Sequence, residues 1–269
     1  MQYYLCKNSL SFIVKKLISL LVRRIPRKYL QIISPPFLKL MGLIYAGNDV
    51  ECPVCEKTFS KFLPYGRVSR ANALCPNCLA LERHRLMYLY LREKTSFFSD
   101  KLKVLHVAPE ACFINRFEAM SNLDYITADI ESPLAKVKMD IHDIPFEENT
   151  FDVVFCNHVM EHVQDDIKAM SELKRVLRPG GWGIIQIPIF HPVPDVTDED
   201  TTMTDPNERE RRFGQSDHVR LYGKDYPDRL KQAGFQVKAD QYVYELPSDK
   251  VKRFALPSDE EVFLVSKAS

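Results

Sequence analysis

Apolar runs of four to six residues recur along the second half of the chain, separated by polar and helical stretches. Leu102–Val107, then residues 125–128, 136–139, 151–156 and 182–187, read as strands, and residues 165–177 between the last two as a helix. Strands alternating with helices predict a parallel sheet with helices on both faces. Residues 222–234 form a further helical pattern closed by Gly234, and residues 235–244 and 261–266 read as two final antiparallel strands. The expected fold is α/β, a doubly wound, mostly parallel seven-stranded sheet. Upstream, residues 79–94 place Leu81, Leu86, Leu89 and Tyr90 on one helical face behind the polar start Glu82-Arg83-His84-Arg85. That start suits either an anion or substrate contact by Arg83 and Arg85, or a solvated bridge between two modules. Residues 9–22 carry an approximate apolar stripe with Lys15 and Lys16 opposite.

Charge divides the chain in a way that the hydrophobic pattern does not. The whole sequence of 269 residues has net charge +1, yet residues 1–94 carry +11 and the remainder −10. Different partners for the two parts follow. The stripe at 9–22 is too short and too charged to span a bilayer, and it lacks the small-residue cleavage site of a secretory signal. Followed by Arg23, Arg24, Arg27 and Lys28, it can lie on an anionic membrane surface or pack on the body. The expected location is cytoplasmic, with peripheral contact at the inner face of the membrane as an option.

The cysteines supply the first chemistry. Cys52-Pro-Val-Cys55 and Cys75-Pro-Asn-Cys78 stand 19 residues apart, so four thiolates can converge on one zinc ion in a closed site with no catalytic position. Cys6, Cys112 and Cys156 lie in apolar surroundings that suit free thiols in a reducing compartment. Three segments result: basic amphipathic N-terminal helices over 1–48, a zinc ribbon with its connecting helix over 49–95, and a catalytic α/β domain over 96–269.

The segments KVLHVAPEACF, ITADI, MDIHDIPFEENTFDVVFCNHVMEHV and ELKRVLRPGGWGIIQIP, in this order and spacing, resemble the motifs of class I S-adenosylmethionine-dependent methyltransferases of type 11. The resemblance covers about residues 100–190 and implies a Rossmann-like methyltransferase fold. It further implies that Asp129, with Ile130 beside it, holds the ribose. Asp140 and the backbone of Ile141 would frame the adenine, the loop Ala108-Pro109-Glu110 would pass beneath the methionine part, and Asn157 and His158 would approach the sulfonium. The loop departs from the family in having no glycine. Glycine is needed where backbone must crowd a pyrophosphate. S-adenosylmethionine has no phosphate and carries two cationic centres, so Glu110 could contribute charge complementarity instead.

Methyl transfer from a sulfonium needs chiefly alignment, with a base only for a hydroxyl or protonated-nitrogen acceptor. Candidate bases are His158, His162, His191 and His218, and the pair Asp217-His218 stands out because a carboxylate can set a histidine's tautomer. Residues 190–220 form a long acidic connection above the methyl site, a lid or acceptor-binding element. The acceptor expected from this is a small molecule or glycan. The alternatives are an RNA base, gripped by the zinc module, and a zinc-binding scaffold without activity.

Overall fold

The computed structural model describes residues 42–66 and 68–269. The amphipathic stripe at 9–22 and the basic run after it lie outside these residues.

The first module is a pair of antiparallel hairpins. In one, β1 (Val50–Cys52) pairs with β2 (Lys57–Phe59); in the other, β3 (Leu63–Tyr65) pairs with β4 (Arg70–Leu74). Helix α1 (Glu82–Lys94) follows, and it differs from the one-faced helix expected: every residue from His84 to Leu91 is buried. Ribbon, sheet and C-terminal helices enclose it on different sides, so no solvent face is left over that stretch.

The body begins with β5 (Leu102–Val107), α2 (Ala111–Glu118), β6 (Leu123–Asp129), β7 (Val137–Lys138) and β8 (Phe151–Asn157). It continues through α3 (Asp166–Val176), β9 (Leu177–Gln186), β10 (Asp198–Glu199), α4 (Pro206–Phe213), β11 (Arg220–Leu221) and α5 (Tyr226–Gln232). It closes with β12 (Gln236–Asp240), the short helices α6 (Tyr242–Glu245) and α7 (Ser248–Arg253), and β13 (Val262–Ser266).

Seven of these strands make one sheet in the order β12-β13-β9-β8-β5-β6-β7. The pairs among β5, β6, β7, β8 and β9 are parallel, and β13 runs antiparallel to both its neighbours. This is the seven-stranded Rossmann-like architecture of a class I methyltransferase. Alternate residues of each strand enter opposite layers. Val104, Val153, Phe155 and Ile184 join the ribbon, α1 and α2 on one face, while Leu105, Val154, Cys156 and Ile185 join α3 and α5 on the other. Gly183 is dictated by strand approach: a Cβ there would stand 2.5 Å from the side chain and carbonyl of Val154.

Module and body are tied by one residue above all. Arg85 is fully buried, and its five donors meet five carbonyls: Nε to Phe254 at 2.7 Å, Nη1 to Ala73 and Ala80 at 2.9 Å each, and Nη2 to Asn72 at 3.1 Å and Ala255 at 2.6 Å. Arg85 therefore joins ribbon to C-terminal region and has no donor left for a substrate.

The acidic residues of the 190–220 connection are largely paired locally. Asp198 and Asp200 bind Arg212, Asp195 binds Lys224, and Asp205 caps α4 by accepting from Asn207 N and Glu208 N.

Candidate active site

The sheet order reverses between β5 and β8, because the chain leaves β5 for β6 on one side and returns as β8 on the other. Ligands of open α/β sheets sit beyond the strand ends at such a switch point. There Ala108 leaves β5 with a left-handed φ of 51°, its N–H held by Ala128 O at 2.8 Å, and Glu110 stands at the start of α2. A narrow cleft opens beside them, lined by Arg83, His84 and Met87 of α1, by Glu110, Asn157 and His158, and by Gln186 and Glu260.

Glu110 turns inward. Its Oε1 accepts from Asn157 Nδ2 at 3.0 Å and lies 3.8 Å from His84 Nε2, while Oε2 lies 2.6 Å from His106 Nε2 in an approach too bent for a linear hydrogen bond. His106 Nδ1 meets Tyr125 Oη at 2.6 Å, so a buried line runs from tyrosine through imidazole to carboxylate. Burial alone would raise the Glu110 carboxyl, but His106 and His84 outweigh it and hold the group down at about 2. A carboxylate depressed below its unfolded value stabilises the fold above that value, and the contribution fades as pH falls from about 4.5 through 2. A Glu110→Gln variant should therefore lose less stability than wild type over that window, by up to about 3 kcal/mol. Urea midpoints at stepped pH measure this, and parallel pH dependences would rule the coupling out.

Asp129 ends β6, and its Oδ1 accepts both Glu131 N and Ser132 N at 2.7 Å, which fixes the carboxylate at the strand end. Ile130 beside it is 56% exposed, an apolar surface next to an anchored acid. Asp140 follows β7 and accepts from His142 N at 2.9 Å and His142 Nδ1 at 2.7 Å; the backbone bond and then the imidazole hold its carboxyl below the usual range. Ile141 is buried with the core under α3.

The histidines separate into different surroundings. His158, at a left-handed φ of 55°, has its Nδ1 3.6 Å from Glu161 Oε1, and burial, with Arg83 nearby, pushes it below its ordinary value. His191 pairs at the surface with Asp259 at 2.8 Å. Asp217 and His218 are turned apart: the Asp217 carboxylate faces His162 at 3.6 Å, and His218 Nδ1 bonds Phe213 O at 3.0 Å. Sequence reasoning passed over Glu260, which burial pushes up to about 7 against the pull of Arg83. A carboxyl ionising near neutrality on a pocket wall is suited to general-base work. Within Asp259-Glu260-Glu261 no pattern singles it out.

The four cysteines of the ribbon converge. Cys52 and Cys78 sulfurs lie 3.6 Å apart and Cys55 and Cys75 sulfurs 3.7 Å apart, with all four within 4.8 Å of one another. These separations exclude disulfides and match the edge of a tetrahedron with bonds of roughly 2.3 Å, about 3.8 Å. Both knuckles are built alike. The residue after each second cysteine, Glu56 (φ 58°) or Leu79 (φ 66°), is left-handed and returns its N–H to the first cysteine's carbonyl at 2.8 or 3.0 Å. A leucine in that conformation is strained, which a convergent ligand set can hold in place.

Sheet order and strand direction are those of the class I methyltransferase fold. Residues 106–185 match the family model described as "Methyltransferase domain", so this stretch carries a methyltransferase domain. The tRNA U34 carboxymethyltransferase of Nautilia profundicola is 40% identical over 77 residues, 29% of this chain and 24% of that protein. The sterol 4-C-methyltransferase of Caenorhabditis elegans is 31% identical over 88 residues, 33% of this chain and 25% of that protein. The chain thus spans about a quarter of the length of these curated relatives. A methyltransferase structure from Archaeoglobus fulgidus aligns with TM-score 0.43 and 15% identity over 68% of this chain and 93% of that one.

Proposed function

We propose that the protein transfers a methyl group from S-adenosylmethionine to a small-molecule or glycan acceptor, and that its ribbon holds a structural zinc ion. Bound S-adenosylmethionine supplies a methyl carbon on a sulfonium leaving group. The chain's own contribution is placement: Asp129 would take the ribose hydroxyls, Ile130 and the Asp140-Ile141 backbone the adenine, the turn Ala108-Pro109-Glu110 the methionine part. Asn157 and His158 stand at the acceptor side. Glu110 keeps its charge through the inward contacts described above, so it acts on a cationic ligand from the wall of the site. For an acceptor that must lose a proton, Glu260 and His158 are the nearest bases, with Asp217 and His218 lying farther out beside His162.

The observation that carries the cofactor assignment is the anchored Asp129 at the end of the strand next to the switch point. Asp129→Asn keeps Oδ1 for the turn and removes one charged acceptor, which should weaken S-adenosylmethionine binding by roughly 10- to 100-fold. Calorimetry showing an affinity within twofold of wild type would end this assignment.

The acceptor class is favoured by the acidic body and by two arginines that are not available to a polyanion. The relatives named above act on a tRNA and on a sterol, so relationship alone leaves the acceptor open. An RNA reading would draw on the cations of the zinc module and its connecting helix, where Lys57 and Lys61 are exposed but two of the arginines are already engaged. Arg85 is buried on carbonyls, and Arg70 is held by Glu82 at 2.9 Å. The cleft is also walled by α1, which narrows the approach to Asn157 and His158. Labelled S-adenosylmethionine incubated with fractionated lysate should mark small molecules or glycans, and label in RNA would favour the alternative. The peripheral membrane contact expected of the N-terminus concerns residues outside those described. Among the described residues no helix is long and apolar enough to cross a membrane.

A further inference from the structure

Just beyond His158, Glu161 and His162 from the turn after β8 meet His218 from the segment before β11. Each offers one ligand atom, and the three atoms lie within 4.8 Å of one another. The two segments are distant in sequence and fastened in space. Val219 N bonds Glu161 O at 2.9 Å, and the Arg220 guanidinium donates to Met160 O and Val163 O at 2.6 Å each and to Gln164 O at 3.0 Å. The turn carrying Glu161 and His162 is therefore a rigid part of the fold.

Both imidazoles are oriented by backbone carbonyls. His218 Nδ1 lies 3.0 Å from Phe213 O, and His162 Nδ1 lies 3.2 Å from Asp217 O. A carbonyl can only accept, so each Nδ1 carries the hydrogen and each Nε2 presents a lone pair. Metal-ligating histidines are held in this manner, with the far nitrogen bonded to a carbonyl or carboxylate. Glu161 is 1% exposed and His218 wholly buried, and among the described residues neither Glu161 Oε2 nor His218 Nε2 has a hydrogen-bond partner. The neighbouring imidazole nitrogens stand off the other carboxylate oxygen, His158 Nδ1 at 3.6 Å and His162 Nε2 at 3.9 Å. A buried carboxylate faced by lone pairs is costly unless a cation sits among them.

We propose that Glu161, His162 and His218 bind a divalent first-row transition-metal ion through one carboxylate oxygen and two Nε2 atoms. Two imidazoles and one carboxylate select for zinc, manganese or iron(II) over calcium or magnesium, and three protein ligands leave coordination positions open. Those positions suit an oxygen or sulfur group of the acceptor, since His158 bridges from this cluster to the cavity wall; this last step rests on the methyltransferase reading, whereas the metal site does not. The protein thus has two metal centres of opposite kind, one closed by four sulfurs and one open.

Cobalt(II) separates them. The full-length chain produced in cobalt-supplemented medium should carry two equivalents, one giving thiolate-to-cobalt charge-transfer bands and one giving only weak ligand-field absorption. His218→Ala and Glu161→Gln should each lose one equivalent and the weak band while keeping the charge-transfer bands. His162→Ala, at a partly exposed position less able to disturb folding, should bind the second ion at least tenfold more weakly. One equivalent in wild type, or two undiminished equivalents in both His162→Ala and His218→Ala, would overturn the proposal. S-adenosylmethionine calorimetry on the same samples reads the methyltransferase assignment separately, because absence of saturable binding in wild type would defeat that assignment and leave the metal count intact.

Discussion

A Cys75→Ser variant is expected to release zinc and to lose on the order of 5 kcal/mol of unfolding free energy. Structural zinc in isolated finger peptides contributes about 10–16 kcal/mol, because such peptides have little else to hold them. Here the ribbon also packs into the body: Val50, Val54, Phe59 and Phe62 share a core with α1 and the sheet. Part of the fold should survive, and the loss should be smaller. Damage should nevertheless reach the active site. Ala73 and Ala80, which flank the Cys75 knuckle, accept hydrogen bonds from Arg85, and the next residue along α1 toward the pocket is His84. Slackening the knuckle slackens that wall, so S-adenosylmethionine affinity should fall about tenfold, near 1.4 kcal/mol, although no cysteine of the ribbon lines the cavity. Zinc release followed with a chromogenic chelator, together with melting and calorimetry, measures all three effects. A variant that has lost its metal but melts and binds cofactor like wild type would show the zinc to be irrelevant to the body.

The parts readable from sequence are those set by local pattern or short spacing. Apolar runs ending in Asp129 and in Asn157 announce the strands β6 and β8, since a short unbroken apolar run closed by a polar residue needs no knowledge of the rest of the chain. The two CxxC pairs bring their own geometry, because each knuckle closes within four residues. What was not readable depends on contacts between distant segments. The one-faced pattern expected for residues 79–94 hides the burial of His84, Arg85 and Met87, since enclosure on several sides is a property of the ribbon and of α7 as much as of the helix. Residues 235–244 read as a strand, yet the strand stops at Asp240 and Tyr242 enters a helical turn, where its ring meets Tyr90 edge-on at 5.4 Å. The Glu161, His162 and His218 cluster has no spacing to betray it. Asp217 and His218 looked like a unit only because they are adjacent, and adjacent side chains outside a helix tend to point apart.

Arg85→Met should be the most damaging single substitution in the described chain away from the cysteines, with a loss of at least about 4 kcal/mol. The methionine fills much of the same space but takes the guanidinium donors away from the carbonyls of Asn72, Ala73, Ala80, Phe254 and Ala255, of which Ala80 O still accepts from Cys75 N at 2.9 Å. Each buried acceptor left unsatisfied costs about 1–3 kcal/mol, and partial relaxation keeps the sum below the simple total. The guanidinium also stacks 4.3 Å from the Phe62 ring, a contact that methionine only partly replaces. Arg85→Lys discriminates between charge and shape. Lysine keeps the positive charge yet has three donors on one atom, so it cannot span carbonyls from both the ribbon and the 254–255 segment, and it should recover less than half of the loss. Urea unfolding of the three proteins decides the matter. If Arg85→Lys equals wild type, the fork of five bonds is incidental and charge alone joins the modules. If Arg83→Ala, two positions away and lining the cavity, is as destabilising as Arg85→Met, the partition of these two arginines between cavity and scaffold is wrong.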